Sequence, residues 1–195
     1  MIIGITGLSG TGKTTLSDKL GKNLNDAKVV HIDNIHIGLL ESNPKIVMDI
    51  YGSDIIKDGK FNYDLFIKYP DKLGKTFEVS YKDLLNKLYK EIIDAKENNK
   101  WIIFDFFALP KIEEIWELCD YTILVKSKSE IKRIQNISLR HIRKGRNPNI
   151  NIKARDAFAP NYDLYKYDFC ISNNYDANFN KDINDIANQL LVKQN

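Results

Sequence analysis

Apolar residues recur along this chain with two different spacings, and the two alternate from end to end. Short, mostly apolar runs occupy 2–6 (IIGIT), 28–32 (KVVHI), 101–106 (WIIFDF), 121–125 (YTILV) and 169–172 (FCIS). Such runs read as strands buried on both faces of a sheet. Between them, apolar positions return every three or four residues. Leu16, Leu20 and Leu24 predict a helix over 14–24. Tyr81, Leu84, Leu85, Leu88, Ile92 and Ala95 predict one over 77–96, and Phe179, Ile183, Ile186, Leu190 and Leu191 a closing one. Shorter helices are expected at 44–51 and 111–118, a long basic helix at 129–144, and broken helix over 152–165, interrupted near Pro160. Residues 57–60 (KDGK) read as a turn by their Asp-Gly pair. Strands alternating with helices predict an α/β fold in three layers, with a parallel five-stranded sheet covered on both faces. Ligands of such sheets bind beyond the carboxyl ends of the strands, where Gly7, Asp33, Asp105 and Lys126 all fall.

The segment GLSGTGKT, residues 7–14, stands between the first strand and the first helix. It fits the phosphate-binding P-loop pattern, and strand, loop, helix is the context that pattern requires. Gly7, Gly10 and Gly12 permit the backbone angles and close approach by which amide N–H groups wrap a phosphate chain. The opening turn of the helix adds partial positive charge. Lys13 supplies a full charge for the β- and γ-phosphates, and the Thr14 hydroxyl suits Mg²⁺. Ser9 and Thr11 fill the loop with available hydroxyls and N–H groups, and their side chains are assigned no separate chemistry. The alternative is a Gly-rich turn with no ligand.

Composition narrows the class. With 195 residues, 43% hydrophobic and 28% charged, the chain suits one domain with a substantial core. A net charge of +3 is too mild to argue for nucleic acid. Cys119 and Cys170 lie in or beside apolar stretches, and both are expected reduced and buried in a cytoplasmic protein. No leader peptide and no membrane-spanning run are expected.

P-loops serve switches, motors and kinases. A guanine-reading N-K-x-D is missing; the nearest string, Asn180-Lys181-Asp182-Ile183, places its Asp one position early. Asp105 is followed by Phe106, where a motor ATPase would carry a glutamate. A small kinase fits better, and it needs an acceptor base, a metal anchor and cations for the moving phosphoryl group. Asp33, at the end of the second strand, is the candidate base, its alternative being a helix N-cap. Asp105 either holds Mg²⁺ through water or caps structure. The cations come from Arg133, Arg140, Arg143, Lys144 and Arg146 in KRIQNISLRHIRKGR. Arg133 and Arg140 are seven apart and share a helix face, which Arg143 continues. Gly145 would end the helix and hinge a lid. The alternative is a solvated basic helix. His31, His36 and His141 form no metal spacing; His36 lies near the presumed acceptor site.

On these motifs the chain resembles two families of P-loop kinase. IIGITGLSGTGKTTL, VVHIDNIH, IIFDFFALP, CDYTILVKSKSEIKRI and YDFCISNNYD are similar to dephospho-CoA kinase nearly end to end. That resemblance implies a P-loop nucleotide-kinase fold with a lid, Asp33 as acceptor base and Asn173 beside the adenine of ATP. The family's Arg after the Asp-Gly turn is replaced by Asn62-Tyr63, and its His-Pro at the long helix by Ser80-Tyr81. The loop Ser9-Gly10-x-Gly12-Lys13-Thr14-Thr15-Leu16, together with FFALP and RHIRKGRN, looks like uridine kinase. That second resemblance implies lid roles for Arg140 and Arg146. The expectation is thus an ATP- and Mg²⁺-dependent kinase acting on a hydroxyl of a nucleoside or nucleotide-like small molecule. It is one domain over 1–195, with an acceptor-side insertion near 38–75 and a lid near 136–155. Lys13, Asp33 and Arg140 are the expected catalytic residues. Ser9, Gly10, Thr11, Gly12, Thr14, Thr15, Arg143, Arg146 and Asn173 are expected to bind nucleotide, with Thr14 and Asp105 at the metal. The rival from another class is a non-catalytic nucleotide-binding module using its basic helix on RNA; that helix lacks the interleaved aromatics of a single-strand binder.

Overall fold

The computed structural model describes residues 1–25, 27–57, 60–98, 100–149, 152 and 156–193. The expected Asp58-Gly59 turn and residues 150, 151 and 153–155 of the expected lid lie outside them. The strands are β1 (Ile2–Thr6), β2 (Lys28–His31), β3 (Ile56–Lys57), β4 (Lys60–Phe61), β5 (Ile102–Asp105), β6 (Tyr121–Ser127) and β7 (Phe169–Asn173). The helices are α1 (Lys13–Asn23), α2 (Ile32–Ser42), α3 (Pro44–Tyr51), α4 (Tyr63–Phe66), α5 (Pro70–Glu97), α6 (Glu113–Trp116), α7 (Glu130–Arg143) and α8 (Asn178–Val192).

Five strands form one sheet in the order β2-β5-β1-β6-β7, every pair parallel. Alternate residues of each strand serve opposite faces. Ile2, Ile102 and Phe104 join one core layer with Leu84, Leu88 and Ile92 of α5. Ile3, Ile5 and Ile103 join the other with Leu16 and Leu20 of α1 and Ile183 and Leu190 of α8. A third apolar cluster, built from Leu40, Val47, Tyr51, Ile55, Phe66, Ile67 and Leu73, sits apart from the sheet. β3 and β4 pair antiparallel beside it.

Several features depart from the sequence expectation. The strand expected to reach residue 32 gives way at Ile32 to α2, whose buried positions are Ile32, His36 and Leu40. A polar residue in the middle of the buried stripe hides the helical period. The long helix starts at Pro70, seven residues before its expected start; Pro suits a first helical turn because its missing N–H would have no partner there. Cys170, expected buried, is exposed, and Cys119 is only partly covered. β7 is an edge strand, and its outward alternate positions meet solvent.

Candidate active site

The glycine loop turns between β1 and α1 in a shape that side chains would block. Gly7 has φ +139°, and a Cβ there would stand 2.2 Å from the Val125 carbonyl oxygen. Gly12 has φ +104°, and a Cβ there would meet the Asn173 amide nitrogen at 2.5 Å. The loop is braced from within and from behind. Lys13 Nζ donates to the Leu8 carbonyl at 3.0 Å, Thr11 donates its hydroxyl to the same carbonyl at 2.9 Å, and Asn173 Nδ2 donates to the Thr11 carbonyl at 2.8 Å. Tyr175, which no sequence signal marked, donates its hydroxyl to the Gly10 carbonyl at 3.0 Å. The Ser9 hydroxyl is buried and has no hydrogen-bond partner among the described residues. A buried hydroxyl left open in this way suits a loop shaped for an incoming polar group.

At the start of α1 the Thr14 hydroxyl donates to Asp105 Oδ2 at 2.9 Å. Asp105 ends β5, and the parallel register sets His31 of β2 directly beside it. His31 Nδ1 lies 3.1 Å from the same carboxylate oxygen, and its Nε2 lies 3.2 Å from Asp18 Oδ1. The hydrogen bond to Asp105 pushes the His31 pKa up, against the opposing effect of burial, with the Asp18 charge adding to the rise. Thr14 and Asp105 together present hard oxygen ligands of the kind Mg²⁺ takes while it keeps most of its shell for phosphate and water. No group of three or more His, Cys, Asp or Glu forms a metal cage among the described residues.

These groups open onto one cleft of 550 Å³. The loop contributes Ser9, Gly10, Gly12, Lys13, Thr14 and Thr15 to its wall; Asp105 and Asn173 come from the sheet. Asp33, in the first turn of α2, lines it too, and Arg140, Lys144 and Arg146 line it from α7 and the turn beyond. Thr11 and Arg143 do not line it: Thr11 is buried behind the loop, and Arg143 is exposed elsewhere on α7. Arg133 stands apart from the other cations. It is 2% exposed, donates to the Ser9 carbonyl at 2.9 Å, and pairs with Asp156 at 2.6 Å and with Glu130. Arg133 thus clamps α7 onto the back of the loop.

The far wall joins the small apolar cluster to the region after α7. The Arg146 guanidinium lies 3.9 Å from the centre of the Tyr63 ring, and the Asn147 N–H donates to Asp64 Oδ2 at 3.1 Å. Beside Asp33 a narrow aromatic slot holds His36, whose Nε2 is 2.9 Å from Ser80 Oγ. Burial pushes the His36 pKa down to about 4, with Asp33 acting weakly the other way. His31, Tyr63 and Tyr175 are site residues that sequence reasoning missed. The only available signal for His31 was its place beside the strand end that carries Asp33.

No family model matches the chain. Solved structures do. TT1252 from Thermus thermophilus superposes with a TM-score of 0.70 at 16% identity, over 100% of this chain and 98% of its own. Dephospho-CoA kinase from Campylobacter jejuni gives 0.56 at 15% identity, over 96% of each chain. Deoxyadenosine kinase from M. mycoides, solved with dCMP and dCDP, gives 0.55 at 18% identity, over 98% of this chain and 100% of its own. Identities this low speak for architecture alone, and the architecture is unambiguous: the chain has the P-loop kinase fold that dephospho-CoA kinase and deoxyadenosine kinase share.

Proposed function

We propose that this protein transfers the γ-phosphoryl group of ATP to a hydroxyl, ribose in character, of a nucleotide-like metabolite, as dephospho-CoA kinase does. The observation that carries the reading is the shared cleft. A P-loop lysine, a Thr14–Asp105 oxygen pair, a carboxylate at Asp33 and three cations all border one cavity. Those are the parts phosphoryl transfer needs: an anchor for the phosphates, a seat for metal, a base, and charge to balance the transition state.

In this reading Lys13 and the loop amides hold the β- and γ-phosphates. Thr14, with Asp105 hydrogen-bonded behind it, would hold Mg²⁺, which would offset charge on those phosphates. Asp33 orients the acceptor hydroxyl and takes its proton. The acceptor oxygen forms the new bond to the γ-phosphorus, and the bond to the bridging oxygen breaks to release ADP. Arg140, with Arg146 or Lys144, faces the charge that spreads over the transferring group, whereas Arg143, expected to share that task, lies off the cleft. The region near 136–155 acts as a lid and the region near 38–75 as the acceptor-side insertion. Their meeting at Tyr63–Arg146 excludes water, so that ATP is not simply hydrolysed. The whole chain acts as one kinase domain in the cytoplasm; no described helix is long and apolar enough to cross a membrane.

The second reading is a uridine kinase-type nucleoside kinase. The aromatic slot beside Asp33 favours it, because such a slot suits an uncharged ring. The test is ADP release from Mg-ATP with dephospho-CoA and, separately, with uridine. Turnover that collapses in Asp33→Asn is the expected result. Unchanged acceptor phosphorylation in that variant removes Asp33 as the base. No ADP with either acceptor, and none across a wider panel of hydroxyl acceptors, leaves a nucleotide-binding module.

A further inference from the structure

The slot beside Asp33 has a wall of Tyr63, Phe66, Phe77, Phe106, Phe107 and Phe158, and no lysine or arginine is among its described lining residues. Its neutral polar side chains are those of Tyr63 and His36, the latter 5% exposed, with Phe77 and Phe66 set edge-on at 5.6 and 6.3 Å. Among the described lining residues nothing draws a phosphate group, and the Asp33 carboxylate repels one. A flat, uncharged ring suits the aromatic walls.

The hydrogen bonds around Ser80 decide which nitrogen of His36 carries the proton. Ser80 Oγ lies 2.8 Å from the Thr76 carbonyl oxygen and 2.9 Å from His36 Nε2. A hydroxyl has one proton. Two oxygens that close need it between them, so Ser80 donates to Thr76. The Ser80 oxygen must then accept from His36, which places the imidazole proton on Nε2. Nδ1 is left with a bare lone pair, since the hydrogen bond that His36 makes with a described residue runs through Nε2. Resting on the proposed kinase reading, we infer that His36 Nδ1 accepts a hydrogen bond from an N–H on the edge of the acceptor's ring, and so selects which acceptor is presented to Asp33. The slot now encloses about 20 Å³, a water's worth of room. A ring therefore enters only as the aromatic wall opens.

The test uses nucleoside pairs that differ at one donor: adenosine against purine riboside, cytidine against 2-pyrimidinone riboside, and uridine against 3-methyluridine. ADP release from Mg-ATP is measured with the wild type and with His36→Phe, which keeps a ring in the slot but cannot accept. Nitrogen NMR of His36, with nucleoside and no ATP, reports the tautomer and contact separately from turnover. The expected result is a loss of roughly 10²-fold or more in kcat/KM when the donor is deleted, levelled to within about threefold in His36→Phe. A pyridine-like Nδ1 signal that moves on nucleoside addition is expected alongside it. Discrimination that persists in His36→Phe, a proton found on Nδ1, or turnover of an acceptor that leaves His36 signals unmoved each overturns the inference while sparing the kinase reading. Nucleosides that shift His36 without any ADP release support ring binding and overturn phosphoryl transfer to nucleosides. No shift and no turnover with any of them overturns the inference.

Discussion

The glycine loop and the acceptor-side insertion meet across one cleft but are built in opposite ways. The loop is a local object. Its glycines, its lysine and its threonine stand within eight residues, between a strand and a helix that announce themselves by period. The insertion is an assembled object. Its apolar cluster takes Leu40 from α2, Val47 and Tyr51 from α3, Phe66 from α4 and Leu73 from α5. No stretch of that region is periodic for long, so its order depends on contacts between short pieces. In the proposed reading, chemistry that must be exact at the phosphate sits on the first kind of structure, and selection of the acceptor on the second.

That contrast can be broken at several points. The largest effect is expected at Arg140→Ala, which should lower turnover by roughly 10³–10⁵ if this side chain faces the transition state. Because Arg140 is exposed, its stability cost should stay within about 0.5 kcal/mol. A loss under tenfold in kcat would hand that role to Arg146 or Lys144. Next comes Asp33→Asn, at roughly 10²–10⁴ in kcat, with ATP binding unchanged by calorimetry. Weakened ATP binding would move Asp33 from the acceptor to the nucleotide side.

Phe66→Ala should cost about 3–5 kcal/mol within the insertion. Hydrogen exchange should show amides of α3 and α4 losing protection while those of β1 and β5 keep theirs. Equal loss in both would mean that the two regions unfold as one. His36 gives a pH-dependent effect. Its pKa falls from 6.5 to about 4 on folding, so the unfolded chain holds a proton that the folded one refuses between those values. Its stabilising contribution is full above pH 6.5 and is lost as pH drops toward 4, an amount on the order of 3 kcal/mol. Denaturant titrations of wild type and His36→Phe should diverge over that window, and parallel curves would refute it. The smallest effect is Tyr63→Ala, where removing the ring under Arg146 should cost about 0.5–1 kcal/mol. A much larger loss would show that this stacking anchors the lid rather than merely touching it.

The five strands were legible because a parallel sheet buried on both faces writes itself as unbroken apolar runs. α8 was legible because it turns a clean apolar stripe inward, and α1 because Leu16, Leu20 and Leu24 recur every four residues even though Ser17 and Gly21 share its buried face. α2 was not, since His36 occupies its buried stripe, and the first turns of α5 were not, since Gly74 and Thr76 interrupt theirs. Asp33 and Asp105 were placed from strand ends, which a parallel sheet aligns at one edge, and Asn173 from the resemblance to dephospho-CoA kinase. His31 was passed over, because its neighbour Asp105 is distant in sequence and adjacent only by strand register.

By itself the sequence determined the layer order of the fold and the shape of the phosphate loop. Both rest on short-range facts: side-chain period, and backbone angles that only glycine adopts easily. The tertiary structure decided which cations face the cleft. Arg133, Arg140 and Arg143 all belong to α7, yet Arg133 is buried against Ser9 and Asp156, Arg140 borders the cavity and Arg143 does not. A helix with charges on several faces carries no instruction for its own rotation. That rotation is set by the packing of Ile137 and His141 and by the buried pairing of Arg133, which arise only when α7 meets the rest of the chain.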